Sequence, residues 1–480
     1  MTSKSWWLGS IAFRCWKKGT LPMKMKEMKL YFRDVRLTTI VFFFLLLSFM
    51  GFAMFFAVNL NPGIIPDEPA HLILSEHFST TLGIPPDVPE TYSLGYIGHK
   101  PFLYYWLNGR FLNVVKLFIP NISEWKQFKA LRVLNVLYST LAVIFCYLIS
   151  KEVFENPWWR ILVTFLLINT LMFAFLSGGV NYDNLINFLA FAGIYFLLRT
   201  INEKPFFENS IIWLIFISAG TLVHQKVLPL ALITVIVWIL YVVKNRRHID
   251  FSPKWTWKLS GLVAVLIVLF VLNLSIWGIN LIKYRALRPS CNEILTEDQC
   301  NLSPFVARSE QLNLPKKLTL VDVVEKGYPD PLEYVWNYWT ASMLSRIYGI
   351  MGHKHYFPDL IITFYRLLIT WVIFMAIRYW KKNSYLINGL LSIFVFYLIT
   401  LLAFNYNNEL VSGFKHVAIQ GRYIFPVISI AYVLIVYYIS QIRNIIVQRV
   451  TVLYTILLFL WGSPFVFIFI YSSTLPGWFN

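Results

Sequence analysis

Runs of about 20 predominantly apolar residues, the length a helix needs to cross the hydrocarbon core of a bilayer, recur along the chain. They lie near residues 39–59, 132–150, 160–177, 185–199, 211–225, 228–243, 259–281, 360–377, 384–404, 423–440 and 450–471. Inside lipid every backbone N–H and C=O must be bonded within the protein, so only helices and closed barrels span. The pattern therefore predicts an all-α polytopic membrane protein of about 11 transmembrane helices, with the divisions within 160–243 the least sharply marked. Composition agrees. With 58% hydrophobic residues, 18% aromatics and a mean hydropathy of +0.60 over 480 residues, there is too little polar surface to cover a soluble globule.

The formal charge of +18 is a topology signal. Lys4, Arg14, Lys17, Lys18, Lys24, Lys26, Lys29, Arg33 and Arg36 all precede the first run, which places the N-terminus in the cytoplasm. Threading the runs from there puts Lys244, Arg246, Arg247, Arg378, Lys381, Lys382, Arg443 and Arg449 on the same side. A nucleic-acid binder would interleave basic and aromatic residues on a soluble domain, so no nucleic-acid partner is expected. The expected location is an integral membrane protein with its N-terminus in the cytoplasm.

Two regions are expected: a basic cytoplasmic segment, 1–38, and a single transmembrane domain, 39–480, that includes outer segments 60–130 and 282–357. The basic leader is long for a cleaved signal peptide, and no A-x-A site follows the first run, which reads as a retained anchor. Trp6, Trp7, Phe13 and Trp16 suit a segment lying on the inner membrane surface; a disordered tail is the other reading. Cys291 and Cys300 fall in an outer segment, where an oxidising compartment favours a disulfide. Cys15 and Cys146 are expected as free thiols.

Charged residues gather at the outer ends of the runs. In "IIPDEPAHLILSEHF", Ile64–Phe78, the proline-flanked acids signal a helix start, predicting a helix from about Pro69 to Thr81 with His71, Ser75 and Phe78 on one face. A second helix is predicted from Pro101. Asp67 and Glu68 point in different directions from a helix start, so one can act as a general base while the other positions a partner; Asp67 can equally be a helix cap. "SGGVNYDNLINF" adds Asp183, with Gly178 and Gly179 read as a tight turn and capping as its alternative role. "FKHVAIQGRYIFP" adds Lys415, His416, Gln420, Arg422 and Tyr423. Arg suits bidentate phosphate recognition, against the plainer reading of a side chain snorkelling to headgroups.

His99-Lys100, His224-Gln225-Lys226 and His353-Lys354-His355 are further outer-boundary groups. His353 and His355, two apart, diverge on a helix and make a poor metal pair. No H-E-x-x-H, G-x-S-x-G or Walker loop occurs.

An acidic pair in the first outer loop of a many-span protein resembles the GT-C superfamily of membrane glycosyltransferases, which includes the lipid A aminoarabinose transferase, protein O-mannosyltransferases and GPI mannosyltransferases. "PDEPAH" at 66–71, "GGVNYDNL" at 178–185 and "QGRYIFP" at 420–426 together resemble most closely a bacterial family of unassigned function in that clan. The resemblance implies a GT-C-like fold and a polyprenyl-phosphate-linked sugar as donor. It also implies a lipid, glycan or protein acceptor, an outward-facing site, inversion at the anomeric carbon and a role in cell-envelope glycan or glycolipid assembly. It makes Asp67 or Glu68 the base and Asp183 a second acid. Arg422, Lys415 and Gln420 become donor-phosphate ligands, and His71, His99, Lys100, His416 and Tyr423 candidate substrate-binding residues. Some clan members use a divalent metal such as Mg or Mn and others do not. Tyr328, Trp336, Tyr338 and Trp339 in 282–357 could stack on sugars, and packing of the loop onto the bilayer is the favoured reading.

Two other classes remain open at this stage. A transporter or lipid flippase shares the hydropathy and wants ionisable residues near mid-span. A polysaccharide polymerase or ligase without the GT-C fold would also use outer-face Arg and His.

Overall fold

The computed structural model describes residues 25–202, 205–247, 249, 255–303, 321–322, 325, 330–350, 359–412 and 419–479, with backbone only for 25–33 and 411–412. The candidates Lys415, His416, His353, His355 and Tyr328, and the aromatic residues of the leader, lie outside the described residues.

The described residues form helices and no strand, apart from one isolated bridge between Leu60 and Phe479. Among the described residues ten helices are long and apolar enough to cross a bilayer, and a bent pair makes up to eleven. In chain order the first is α1 (Met25–Asn59), which starts inside the basic segment rather than at residue 39; its apolar part is Asp34–Asn59. Two shorter helices follow, α2 (Glu68–Ser79) and α3 (Leu103–Phe118), packed on each other. Next come α4 (Glu124–Val153), α5 (Pro157–Ile168) and α6 (Leu171–Ser177).

The run 160–177, expected as one helix, is instead α5 and α6 bent by 67°. At the bend the backbone ladder slips by one residue: Thr170 N bonds Leu167 O at 3.1 Å, while Leu166 O accepts from the Thr170 hydroxyl at 2.8 Å, which also meets Tyr432 Oη.

Then follow α7 (Tyr182–Ile201), α8 (Phe206–Val223), α9 (Val227–Asn245), and α10 (Trp257–Tyr284), which passes through a π-turn at Leu274–Gly278. After α11 (Thr340–Tyr348), α12 (Asp359–Tyr379) and α13 (Tyr385–Ser412) comes the span Gly421–Ser440. Its first two turns are 3₁₀, Gly421–Val427, because Pro426 has no N–H for an α-helical bond. It continues as α14 (Ile428–Ser440), and α15 (Ile445–Trp461) follows.

Burial orders these helices. Of the most apolar window of α7, and of the span Gly421–Ser440, 78% is buried, against 11% for α10. The two most enclosed spans thus stand at the centre, and each begins with a candidate residue, Asp183 and Arg422. Small residues let neighbouring backbones approach these starts. A Cβ on Gly421 would lie 2.6 Å from Ile347 N, and one on Gly178 would lie 2.8 Å from Ala53 O and Ala57 N. The chain turns at Gly178 and Gly179 as expected; with φ −81°, Gly178 is there also for its close packing on α1.

Candidate active site

Asp67 occupies the left-handed region, φ 64° and ψ 5°, and its side chain makes no capping bond to α2. The capping reading is therefore corrected. Asp is one of the few side chains that tolerate this backbone conformation, and the turn sends its carboxylate away from α2. At 44% exposure it faces the buried Arg422 (5%), whose Nη2 donates to Asp67 Oδ2 at 2.8 Å.

Glu68 does something different. Its side chain is fully buried, Oε1 accepts from Arg132 Nε at 2.9 Å and Oε2 from Arg132 Nη2 at 2.8 Å. Val180 N donates to Oε1 at 2.9 Å. Arg132 Nη1 also donates to the carbonyls of Ala57 and Leu60 at 3.1 and 2.6 Å. One ion pair thereby ties the end of α1, the start of α2, α4 and the loop before α7. Both oxygens of Glu68 are bonded and neither is exposed, and the pair holds the turn that presents Asp67.

Asp183 lies in the first turn of α7, where the cap is Asn181, whose Oδ1 accepts from Asp183 N at 2.8 Å. The capping role expected of Asp183 thus belongs to its neighbour. The freed carboxylate is 2% exposed and meets two cations: Lys226 Nζ at 2.5 Å and Arg422 Nε at 3.6 Å. Lys226 also stands over the rings of Tyr182 and Tyr423, at 4.7 and 4.4 Å. Asp67, Arg422, Asp183 and Lys226 form a continuous chain of alternating charges. Gln420 precedes it as the cap of the 3₁₀ turn, its carbonyl accepting from Tyr423 N at 3.0 Å.

His71, one turn beyond Asp67, is buried. Its Nδ1 is bonded to Tyr105 Oη at 3.0 Å, while Nε2 has no hydrogen-bond partner. Tyr182 meets the His71 ring edge-on at 4.9 Å and stacks on His224 at 4.6 Å.

Burial by itself would raise the Asp67 carboxyl, but Arg422, His71 and Lys226 together hold it below the ordinary value. Burial lowers His71 to about 4, against the pull of Asp67, so its ring is neutral at pH 7. Burial also lowers Lys226 to about 8, with Asp183 opposing; the ammonium is still charged at neutral pH.

His99 and Lys100 stand apart from this chain of charges. His99 Nδ1 pairs with Asn280 Oδ1 at 3.1 Å, and Lys100 Nζ donates to Leu94 O at 3.2 Å and lies over Tyr96. Tyr96 Oη donates to Pro289 O at 2.7 Å, linking residues 60–130 to the segment after α10, in which Cys291 and Cys300 are joined. Cys146 is a buried free thiol. Trp339 is buried and donates to Asn405 at 3.0 Å, while Trp336 is 80% exposed.

Among the described residues no three His, Cys, Asp or Glu side chains gather as a metal site. Asp67 and Asp183, on either side of Arg422, each face a cation. A cleft of about 360 Å³ opens at the other end of the bundle, among Glu152, Asn202, Lys244, Ser384 and Tyr437, and holds none of the candidate residues.

From the sequence Arg132 carries no role, and Lys226 stands only as part of the boundary group His224-Gln225-Lys226. The signal for Arg132 was a charge at the head of an apolar run, costly unless paired; that for Lys226 was its place between two spans.

No protein-family model matches the chain, and comparison with curated proteins finds no match. Among solved structures it is similar to ArnT from Cupriavidus metallidurans in the apo state, at 12% identity and TM-score 0.43, covering 83% of this chain and 59% of that one. It is similar to the Archaeoglobus fulgidus oligosaccharyltransferase in the apo form, at 15% identity and TM-score 0.45, covering 82% of this chain and 50% of that one. A third is the archaeal oligosaccharyltransferase AglB from the same organism, in complex with an inhibitory peptide and a dolichol-phosphate. It matches at 13% identity and TM-score 0.42, with 86% and 55% of the two chains covered. The chain thus spans between 50% and 59% of the length of these solved chains.

Proposed function

We propose that this protein is a membrane glycosyltransferase that moves a sugar from a polyprenyl-phosphate-linked donor to an acceptor hydroxyl at the outer face, by inverting displacement with Asp67 as base. The observation that carries this reading is the half-exposed Asp67 carboxylate set 2.8 Å from the buried Arg422, in a chain of charges completed by Asp183 and Lys226. Asp183 and Arg422 sit at the starts of spans, Lys226 between two spans and Asp67 just before α2, where this reading puts the lipid-borne phosphate. A carrier would instead place its ionisable groups near mid-span.

The chemistry needs a base on one side of the anomeric carbon and cations on the other. The acceptor oxygen forms the new bond to that carbon while its proton passes to Asp67. The bond from carbon to the phosphate oxygen breaks, and its electron pair leaves on the phosphate. Arg422 and Lys226 stabilise that charge; Asp183 holds both cations in place. Neutral His71, with Nε2 unpartnered, is suited to bond a substrate hydroxyl. No metal takes part in this scheme. Bacterial inner-membrane location and an outward-facing site belong to the same proposal.

The test is sugar release from a panel of labelled polyprenyl-monophosphate sugars by the reconstituted protein, with candidate acceptors present. Release that disappears in Asp67→Asn supports the reading. Release unaffected in an Asp67→Asn/Glu68→Gln double variant, or none from any donor, rejects it.

A further inference from the structure

If the leaving phosphate and the base flank the anomeric carbon, the reacting sugar must lie between them. Yet Asp67 Oδ2 and Arg422 Nη2 are in direct contact at 2.8 Å. A carboxylate bonded to a guanidinium in this way is a poor base, because transferring a proton to it forfeits a charge-assisted bond. Arg422 is also the cation placed to turn elsewhere: Asp183 meets its Nε side at 3.6 Å, and Nη1 makes no hydrogen bond. Its burial at 5% and its hold on Asp183 anchor the stem, while Asp67 is 44% exposed and replaceable by an incoming anion.

Building on the glycosyltransferase reading, we infer that the donor phosphate and Asp67 compete for the Arg422 guanidinium, so that the base is released only as the donor binds. The phosphate takes over the Nη2 and Nη1 edge, Asp183 keeps the Nε side, and the freed Asp67 carboxylate turns to the acceptor hydroxyl. Donor binding and base activation become one event, which places the donor before the acceptor in the order of binding. Before the donor arrives, burial favours the protonated carboxyl but Arg422 outweighs it; loss of that bond makes the carboxylate a stronger proton acceptor.

The competition has an unusual consequence: removing the base should tighten donor-phosphate binding. The experiment measures the affinity of undecaprenyl phosphate for the full chain in nanodiscs, for wild type, Asp67→Asn, Arg422→Gln and the double variant. Asn suits position 67 because it also tolerates φ 64°. Asp67→Asn should bind about tenfold more tightly than wild type, equivalent to about 1.4 kcal/mol. That gain should vanish in the Arg422→Gln background. A gain that persists undiminished without Arg422 would mean simple charge repulsion and overturn the competition, as would no gain at all; both leave a phosphate site standing. Absence of binding by folded wild type and Asp67→Asn alike would instead remove the phosphate reading and this inference with it. Should Arg422→Gln not fold, Arg422→Lys keeps a charge against Asp183 without the guanidinium fork, and the Asp67→Asn gain must shrink there.

Discussion

The Glu68 carboxylate lies against the Arg132 guanidinium through two bonds, 2.9 and 2.8 Å, with neither side chain exposed. Removing one partner of a buried pair leaves the other charge without compensation, at a cost of about 3–5 kcal/mol. Glu68→Gln and Arg132→Met are each expected to lower stability by that order, and the double variant by less than the sum. Thermal unfolding in detergent checks this. Additive losses would mean that the two side chains do not act as one clamp.

Asp67, adjacent in sequence, should behave oppositely. Half-exposed and outside the clamp, it is expected to tolerate Asn with little change in unfolding temperature, while transfer falls about 10²–10⁴-fold, the range typical of a general base. Parallel melting curves and transfer assays separate the two acids. Equal destabilisation by Asp67→Asn and Glu68→Gln would argue that both are structural.

This division marks how far the sequence could be read. The spans were legible because apolar runs of bilayer length admit one solution, and α2 starts within one residue of its expected place because prolines flank the acids. The roles of Asp67 and Glu68 were not separable, since their difference depends on Arg132, more than 60 positions away. The bend between α5 and α6 was hidden for a similar reason: Thr170 is an ordinary residue in an apolar run until it bonds Leu166 O and meets Tyr432. Gly178 and Gly179 were recognisable as special positions, but close backbone approach and tight turning leave the same residue in the sequence.

Lys226 carries a pH prediction. Its ammonium is lowered by burial to about 8, below the ordinary 10.5. Below pH 8 the folded protein keeps the cation that faces Asp183 and, in the proposed reaction, the phosphate; above pH 8 it loses it. Transfer is therefore expected to decline as pH rises through about 8, and Lys226→Arg should move or abolish that limb, since a guanidinium stays charged. The effect on stability has the reverse sign. Between about 8 and 10.5 the unfolded chain binds more protons at this group than the folded one, so this group's term in stability rises with pH there. A pH–rate profile of both proteins decides it; an unchanged alkaline limb in Lys226→Arg would remove Lys226 from the titration.

His71 provides a companion test at the acid end. Burial holds it to about 4, so the ring does not change charge between pH 5 and 8, the range in which an unperturbed histidine titrates. No inflection is expected near pH 6.5, and His71→Gln should alter the size of the transfer rate without altering its profile in that range. A limb near 6.5 that disappears in His71→Gln would show that the ring is charged during turnover and would require another group to bond the substrate hydroxyl.

Gly421 tests whether the position of Arg422 depends on backbone packing. A Cβ at residue 421 would meet the backbone of Arg346 and Ile347, 2.6 Å from Ile347 N, and backbone cannot swing aside as a side-chain tip can. The 3₁₀ turn that begins there must shift away from α11, carrying Arg422 with it. Overpacking of this kind costs about 1–3 kcal/mol. Misplacement of a positioned catalytic group by about 1 Å can cost about 10²-fold in rate. Gly421→Ala is thus expected to lower both unfolding temperature and transfer, and to weaken undecaprenyl phosphate binding. Gly261→Ala is the matched control: nothing lies within 4 Å of a Cβ there, and Ala is favoured over Gly inside a helix, so stability should hold or rise and transfer stay unchanged. If Gly421→Ala transfers and binds as wild type does, Arg422 is not held by the approach of α11, and the 3₁₀ start of the span would have to be positioned by Asp183 and Asp67 alone.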